Sequence, residues 1–203
     1  MAYLLGVTGS IASGKSVLCR HLANFHGARH VDADRHVHTM YEPGKPAFDR
    51  IVTEFGQRVV GEDGYIDRKA LGDMVFGKPD LLAALRTAIG DIEGEFMRLL
   101  RELKNDPAPI AVFEAVRLFE GPYMEICDAG WLVAAEDERA IDRLMARNSL
   151  TRDEAEQRMA SATPWRERAA KADLVLHNDG SVAEFQAKID AAVAQALNHH
   201  VSR

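Results

Sequence analysis

Gly9, Gly14, Lys15 and Ser16 stand at the spacing G-x-x-x-x-G-K-[ST] within "GSIASGKS", residues 9 to 16. This is the P-loop pattern, and its surroundings suit it. The apolar run "YLLGVT" precedes it, and "SVLCRHLANF", which reads as a helix, follows. A glycine-bearing loop that enters a helix N-terminus turns several backbone N–H groups and the positive end of the helix dipole toward one anion. Gly9, Ser10, Ile11, Ala12, Ser13, Gly14, Lys15, Ser16 and Val17 are therefore expected to bind a nucleoside triphosphate. Lys15 would reach the β- and γ-phosphates, and the Ser16 hydroxyl would ligate Mg²⁺. A plain glycine turn with a lysine on the next helix is the competing explanation; the complete pattern between a strand and a helix argues against it.

A second group of chemistry-bearing residues is "HVDADRHVH", in which His30, Asp32, Asp34, His36 and His38 alternate. On one continuous strand all five would share a face. Five ligands in a straight row cannot converge on one ion, and "DRHVHTMY" already has helical character, so a transition-metal site is disfavoured. Asp32 and Asp34 are placed instead at the C-terminal edge of the strand, where open α/β sheets bind ligands. There one carboxylate can act as base toward, or orient, an acceptor hydroxyl, and the other can support Mg²⁺. The plain alternative for Asp34 is a helix N-cap. Glu114, at the end of "IAVFE", is a further acid expected near the Mg²⁺ hydration shell. Arg139, Arg143 and Arg147 recur at i, i+4 and i+8 and share a helix face. Such a row is commonly solvated surface, but beside a P-loop it can stabilise transferring phosphates. "DIEG", residues 91 to 94, has the Asp-x-x-Gly form of a GTP switch, yet it sits in a helical pattern and no Asn-Lys-x-Asp guanine motif accompanies it.

These residues must be positioned by a sheet. Apolar runs at 3–8, 28–34, 109–116, 129–135 and 174–178 read as strands separated by helical patterns, which predicts an α/β protein with a buried parallel sheet covered on both faces. Two intervals are too long for single crossovers. The first contains a turn at Gly61–Gly64, a short helix in "DRKALGDMVFG", and one or two longer helices in "PDLLAALRTAIGDIEGEFMRLLRELKN". Leu81, Leu82, Leu85, Ile89, Ile92, Phe96, Leu99, Leu100 and Leu103 form its packing face. The second, "EDERAIDRLMARNSLTRDEAEQRMASATPWRERAAKAD", is charged and broken at "NSLT", where Ser149 or Thr151 can cap the following helix. A chain of 203 residues suffices for one substantial core. The net charge of −6 leaves no basic excess for a nucleic acid or a membrane surface. Two cysteines suggest neither a disulfide framework nor a zinc site. With neither a signal-peptide pattern nor a membrane-length apolar run, a soluble cytoplasmic protein is expected.

The succession "TGSIASGKS", "VDAD", "EPGKPAF", "DRKALGDMVF", "RLFE", "IDRLMARNSLTRDEAEQRM" and "AD-V-H-N-DGS" resembles the dephospho-coenzyme A kinase family over roughly residues 3–185. The resemblance implies a P-loop nucleoside-kinase-like three-layer sandwich with a central parallel five-stranded sheet, a helical acceptor-binding insertion and a helical lid. It assigns 1–60, 106–135 and 172–203 to the nucleotide-binding core, 61–105 to the acceptor domain and 136–171 to the lid. It further implies transfer of the ATP γ-phosphate to the ribose 3′-hydroxyl of dephospho-CoA, with Asp34 as base, Lys15 on phosphates, Arg143 as the lid arginine, Arg147 beside the nucleotide, Asn178 in the loop flanking adenine, and Mg²⁺ on Ser16 and Asp32. The chain departs from the family pattern at several places. Ser10 and Ala12 replace glycines, which is tolerable if neither backbone needs positive φ. Gly90-Asp91 stands for a His-Pro pair, Val116 and Arg117 for Pro and Leu, and Ala162 for a glutamine. Because these changes fall on the acceptor side, a related kinase with another hydroxyl acceptor is the alternative, followed by a non-catalytic nucleotide-binding regulator.

Overall fold

The computed structural model describes residues 1–161 and 163–201. The chain divides into two compact units: Met1–Asp32 with Leu99–Arg203, and Ala33–Arg98. The first carries strands β1 (Tyr3–Gly9), β2 (Arg29–Asp32), β3 (Ile110–Glu114), β4 (Ala129–Ala134) and β5 (Leu174–His177), all parallel, in the order β2-β3-β1-β4-β5. Every residue of β1 and β4 is buried, so both faces of the sheet are covered, as the unbroken apolar runs predict. On one face α1 (Lys15–Phe25) and α10 (Val182–Val201) bury Leu18, Leu22, Phe185 and Ile189 against Leu5, Val7, Val112, Trp131 and Val133. Burying side chains of this size stabilises by about 1.5–3 kcal/mol each.

β2 is shorter than its sequence run. Its last register partner is Asp32 opposite Glu114, where β3 itself ends, and α2 (Ala33–Met40) starts at the next residue. Asp34 therefore lies inside the first turn of α2, neither on the strand nor at the position before the helix.

The helical unit contains α2, α3 (Pro46–Phe55), α4 (Arg68–Val75), α5 (Pro79–Ile89) and the first half of α6 (Ile92–Lys104). This compact unit runs from Ala33 to Arg98, wider at its start than the 61–105 that the resemblance assigns to the acceptor domain. The reason is packing: Tyr41, Ala47, Ile51 and Phe55 share one apolar cluster with Leu71, Val75, Ala88 and Ile89, which joins 33–60 to the later helices. Helix ends are closed by polar groups. Asp67 Oδ1 accepts from Lys69 N and Ala70 N at 2.9 and 3.1 Å, and Arg50 donates to the α5 carbonyls of Ala88 and Ile89 at 2.7 and 3.2 Å. Gly90, at φ 106°, stops α5, and Asp91 Oδ1 accepts from Gly94 N at 2.8 Å to start α6. The acidic residue of "DIEG" is thus a cap. Of the predicted packing face, Leu82 is 39% exposed, because it sits one residue round the helix from Leu81.

In the second excursion, α7 (Asp137–Asn148) ends with Ser149 at φ 52°, and Thr151 opens α8 (Arg152–Ala160) through a reciprocal capping box with Glu154. The short α9 (Trp165–Ala169) follows. Among the described residues, no helix is long and apolar enough to cross a membrane.

Candidate active site

The loop between β1 and α1 is shaped by its backbone. Gly14 adopts φ 107°, and a Cβ there would come within 2.1 Å of the Asn178 amide nitrogen; a Cβ on Gly9 would meet the Val133 carbonyl oxygen at 2.5 Å. Both positions exclude a side chain by close approach. Lys15 Nζ donates to the carbonyls of Gly9 and Ser10 at 3.1 and 3.2 Å, so the ammonium is held across the mouth of the loop. Ser13 is fully buried, its carbonyl accepting from Asn178 Nδ2 at 2.8 Å. Ser10 Oγ and Ser13 Oγ are buried without a hydrogen-bond partner. Ser16 is exposed on the first turn of α1, beside Val17.

The two glycine replacements behave differently. Ser10 keeps a negative φ, but Ala12 sits at φ 54°, so the condition on which its substitution was expected to be harmless is not met. The left-handed conformation costs a non-glycine residue about 1 kcal/mol or more. Its methyl offsets part of that cost, because Ala12 and Ile11 pack against the cluster formed by Ile141, Leu144 and Ala155 of α7 and α8.

The arginine row resolves into three situations. Arg143 reaches the loop: Nη2 donates to the Asn178 carbonyl at 2.7 Å, and Nη1 lies 3.5 Å from the carbonyls of Ala12 and Ser13. Arg147 lines both cavities that flank the loop. Arg139 is exposed at the start of α7. One cavity, about 420 Å³, is bordered by Gly14, Ser16, Arg143, Asn178, Gly180 and Val182. The other, about 630 Å³, is bordered by Gly9, Lys15, Val116, Arg117, Arg147 and Arg168. Arg117 hydrogen-bonds Glu120, so its charge is met locally, and Val116 is half exposed. Ala162 lies outside the described residues.

Acids gather at the sheet edge behind the loop. Asp32 and Glu114 are neighbours in the β2–β3 register. Burial would push the Glu114 carboxyl up, but hydrogen bonding to His30 and the positive charge of Lys15 hold it below the usual carboxylate range. His30 Nε2 lies 3.1 Å from Glu114 Oε2. Burial and the neighbouring Glu114 charge raise the Cys19 thiol well above its ordinary value, so it stays protonated and donates to that carboxylate. The alternating histidines have separate partners: His30 with Glu114, His36 Nε2 with Glu95 Oε1 at 2.7 Å, and His38 Nδ1 with Arg68 at 3.0 Å. Asp34, in the helical unit, is exposed.

Arg168 was not singled out from sequence. It is 8% exposed on α9, and Nη1 donates to the Val116 carbonyl at 3.0 Å. It belongs to no local repeat, and "WRERAAKAD" reads as an ordinary charged helix. What makes it unusual is burial, set by partners as distant in the chain as Thr8.

The chain resembles known proteins over nearly its whole length. The family profile described as dephospho-CoA kinase matches residues 3–184. A dephospho-CoA kinase from Geobacter sulfurreducens is 38% identical over 191 residues, covering 92% of this chain and 95% of the relative. One from Symbiobacterium thermophilum is 37% identical over 190 residues, 93% of this chain and 79% of the relative. A crystal structure of a Thermus thermophilus protein superposes with a TM-score of 0.76 at 30% identity, covering 96% of this chain and 97% of that one.

Proposed function

From the premise that the chain belongs to the dephospho-CoA kinase family, we propose that it transfers the γ-phosphoryl group of ATP to the ribose 3′-hydroxyl of dephospho-CoA, giving coenzyme A and ADP. The observation that carries this reading is the family match over residues 3–184, which includes a loop whose Lys15, Arg143 and Asn178 all converge on its carbonyls. The loop amides at the N-terminus of α1 hold the inner phosphates, and Lys15 turns from its carbonyls to the β- and γ-oxygens. Asn178 fixes the loop through Ser13, and the cavity beside it accepts the adenosine. Arg143 moves its guanidinium from the Ala12 and Ser13 carbonyls onto the transferring group, a contact strongest in the transition state. Asp34 takes the proton of the 3′-hydroxyl as its oxygen attacks phosphorus and the bond to ADP breaks. The helical unit, Ala33–Arg98, supplies the acceptor platform.

The oxygen donors at the sheet edge suit Mg²⁺, which favours hard ligands and keeps several waters. Ser16 and Asp32 would hold the ion, and Glu114, tied to His30 and Cys19, stands beside Asp32 in the β2–β3 register. Held there, the ion would supply positive charge against the phosphates. The test is incubation with Mg²⁺-ATP and dephospho-CoA, with products read by mass spectrometry. Coenzyme A and ADP in equal amounts support the assignment; ATP binding with turnover only of another alcohol would transfer it to a kinase of different acceptor.

A further inference from the structure

No other lysine or arginine among the described residues is buried as deeply as Arg168. Its guanidinium contacts three neutral oxygens: the Val116 carbonyl at 3.0 Å, Thr8 Oγ1 at 3.4 Å and the Thr163 carbonyl at 3.4 Å. Its Nε is buried with no partner. Glu120 and Glu167 favour its charge only through space, and burial pulls its pKa below the ordinary arginine value. A buried cation normally sits against a carboxylate, since withdrawing it from water costs several kcal/mol unless it is paired. Here no carboxylate touches the guanidinium, which stands on the wall of the cavity that Lys15 and Arg147 also line.

The position of that cavity suits an anion that runs past the loop. The adenosine side of the loop is bordered by Asn178, Gly180 and Val182, and Arg168 does not line it. Arg168 lines the opposite cavity and is anchored through Thr8, near the end of β1, and Val116, just beyond β3. A triphosphate that enters from the Asn178 side and crosses the loop amides puts its last phosphate there. We propose that Arg168 is a fixed phosphate-binding residue of this enzyme, whose guanidinium meets the terminal phosphoryl group of ATP and stays on it as the bond to ADP breaks and the bond to the acceptor oxygen forms. Unlike Arg143, it needs no rearrangement, because Val116, Thr8 and Thr163 hold it in place. ADP lacks the group it contacts, so Arg168 gives the site a preference for triphosphate over diphosphate.

This inference rests on the kinase reading but can be tested without the acceptor. Arg168→Gln and Arg168→Lys are purified, their folding checked by circular dichroism and thermal unfolding, and ATP and ADP affinities measured by calorimetry. Arg168→Gln is expected to weaken ATP about 10-fold while changing ADP by no more than about 2-fold, with kcat falling about 10²-fold and part of the loss restored by lysine. Equal weakening of ATP and ADP, or unchanged affinities with only a lower Tm, would make Arg168 a structural brace and overturn the proposal. Should the glutamine variant not fold, the ATP-to-ADP affinity ratio of Arg168→Lys decides by the same criterion, a ratio unchanged from wild type counting against it. Absence of coenzyme A from the wild-type reaction would strike the kinase reading itself, and that result is separate from the calorimetry.

Discussion

In the sheet-bearing unit, polar side chains are buried around one loop; in the helical unit, they close helix ends at the surface. Thr8, Ser10, Ser13, Arg168 and Asn178 are all buried, as is His21 on α1, and Ser10 Oγ, Ser13 Oγ, His21 Nδ1, Trp165 Nε1 and Arg168 Nε lack hydrogen-bond partners. The buried polar residues among those described fall in this unit, and none in Ala33–Arg98. There Asp67, Asp91 and Arg50 satisfy helix termini, and Glu95 joins His36 to Arg98. Unsatisfied buried groups are destabilising unless a ligand, an ion or an ordered water meets them. The contrast places the buried, unmet polar groups in the unit that carries the glycine-rich loop, and leaves the polar groups of the other at its helix ends.

The largest expected effect strikes the first unit. Lys15→Ala should lower phosphoryl transfer about 10³-fold or more and weaken ATP about 10-fold or more, while the protein stays folded. Unchanged ATP binding by calorimetry would remove the loop from the phosphate site. Arg143→Ala should reduce kcat about 10²-fold with a smaller change in ATP affinity, because its contact belongs mainly to the transition state. Steady-state kinetics giving equal kcat would pass the role to Arg147 or Arg139.

In the helical unit the expected effects concern stability. The Arg98 hydrogen bond first, and then that of His36, lower Glu95 from 4.5 to about 2. A depressed carboxyl stabilises the fold above pH 4.5, and this contribution is lost as pH falls through about 2. Glu95→Gln should cost about 1 kcal/mol at pH 7, with the gap in Tm from wild type closing between pH 4.5 and 2. A gap independent of pH would refute the ion-pair account. The smallest effect is reserved for Ala12→Gly: relief of the left-handed strain and loss of the packed methyl nearly cancel, leaving stability within about 1 kcal/mol of wild type. A denaturant titration showing a larger change in either direction would show that one term dominates.

How far sequence revealed each feature follows from how local its cause is. The loop was legible because eight consecutive residues encode it, and the central strands β1, β3 and β4 because they are apolar runs buried almost throughout, whereas the edge strand β2, Arg29–Asp32, has no buried residue. The start of the helical unit at Ala33 was not, since it depends on Tyr41, Ile51 and Phe55 packing with residues 71 to 89. Ala12's positive φ escaped because alanine carries no signal for it, and Arg168 because its burial is created by Thr8 and Val116, far away in the chain. The substituted pair Gly90-Asp91 has a local account: one residue ends α5 and the next caps α6.

The proposal most open to test is that Asp34, and not Asp32, is the base toward the acceptor hydroxyl. The direct measurement compares Asp34→Asn with Asp32→Asn, recording ATP affinity by calorimetry and transfer to dephospho-CoA in a single turnover. Asp34→Asn is predicted to bind ATP as wild type does and to lose transfer by about 10²-fold or more. Normal transfer by Asp34→Asn, with Asp32→Asn inactive, would contradict the account and return the base to the sheet edge.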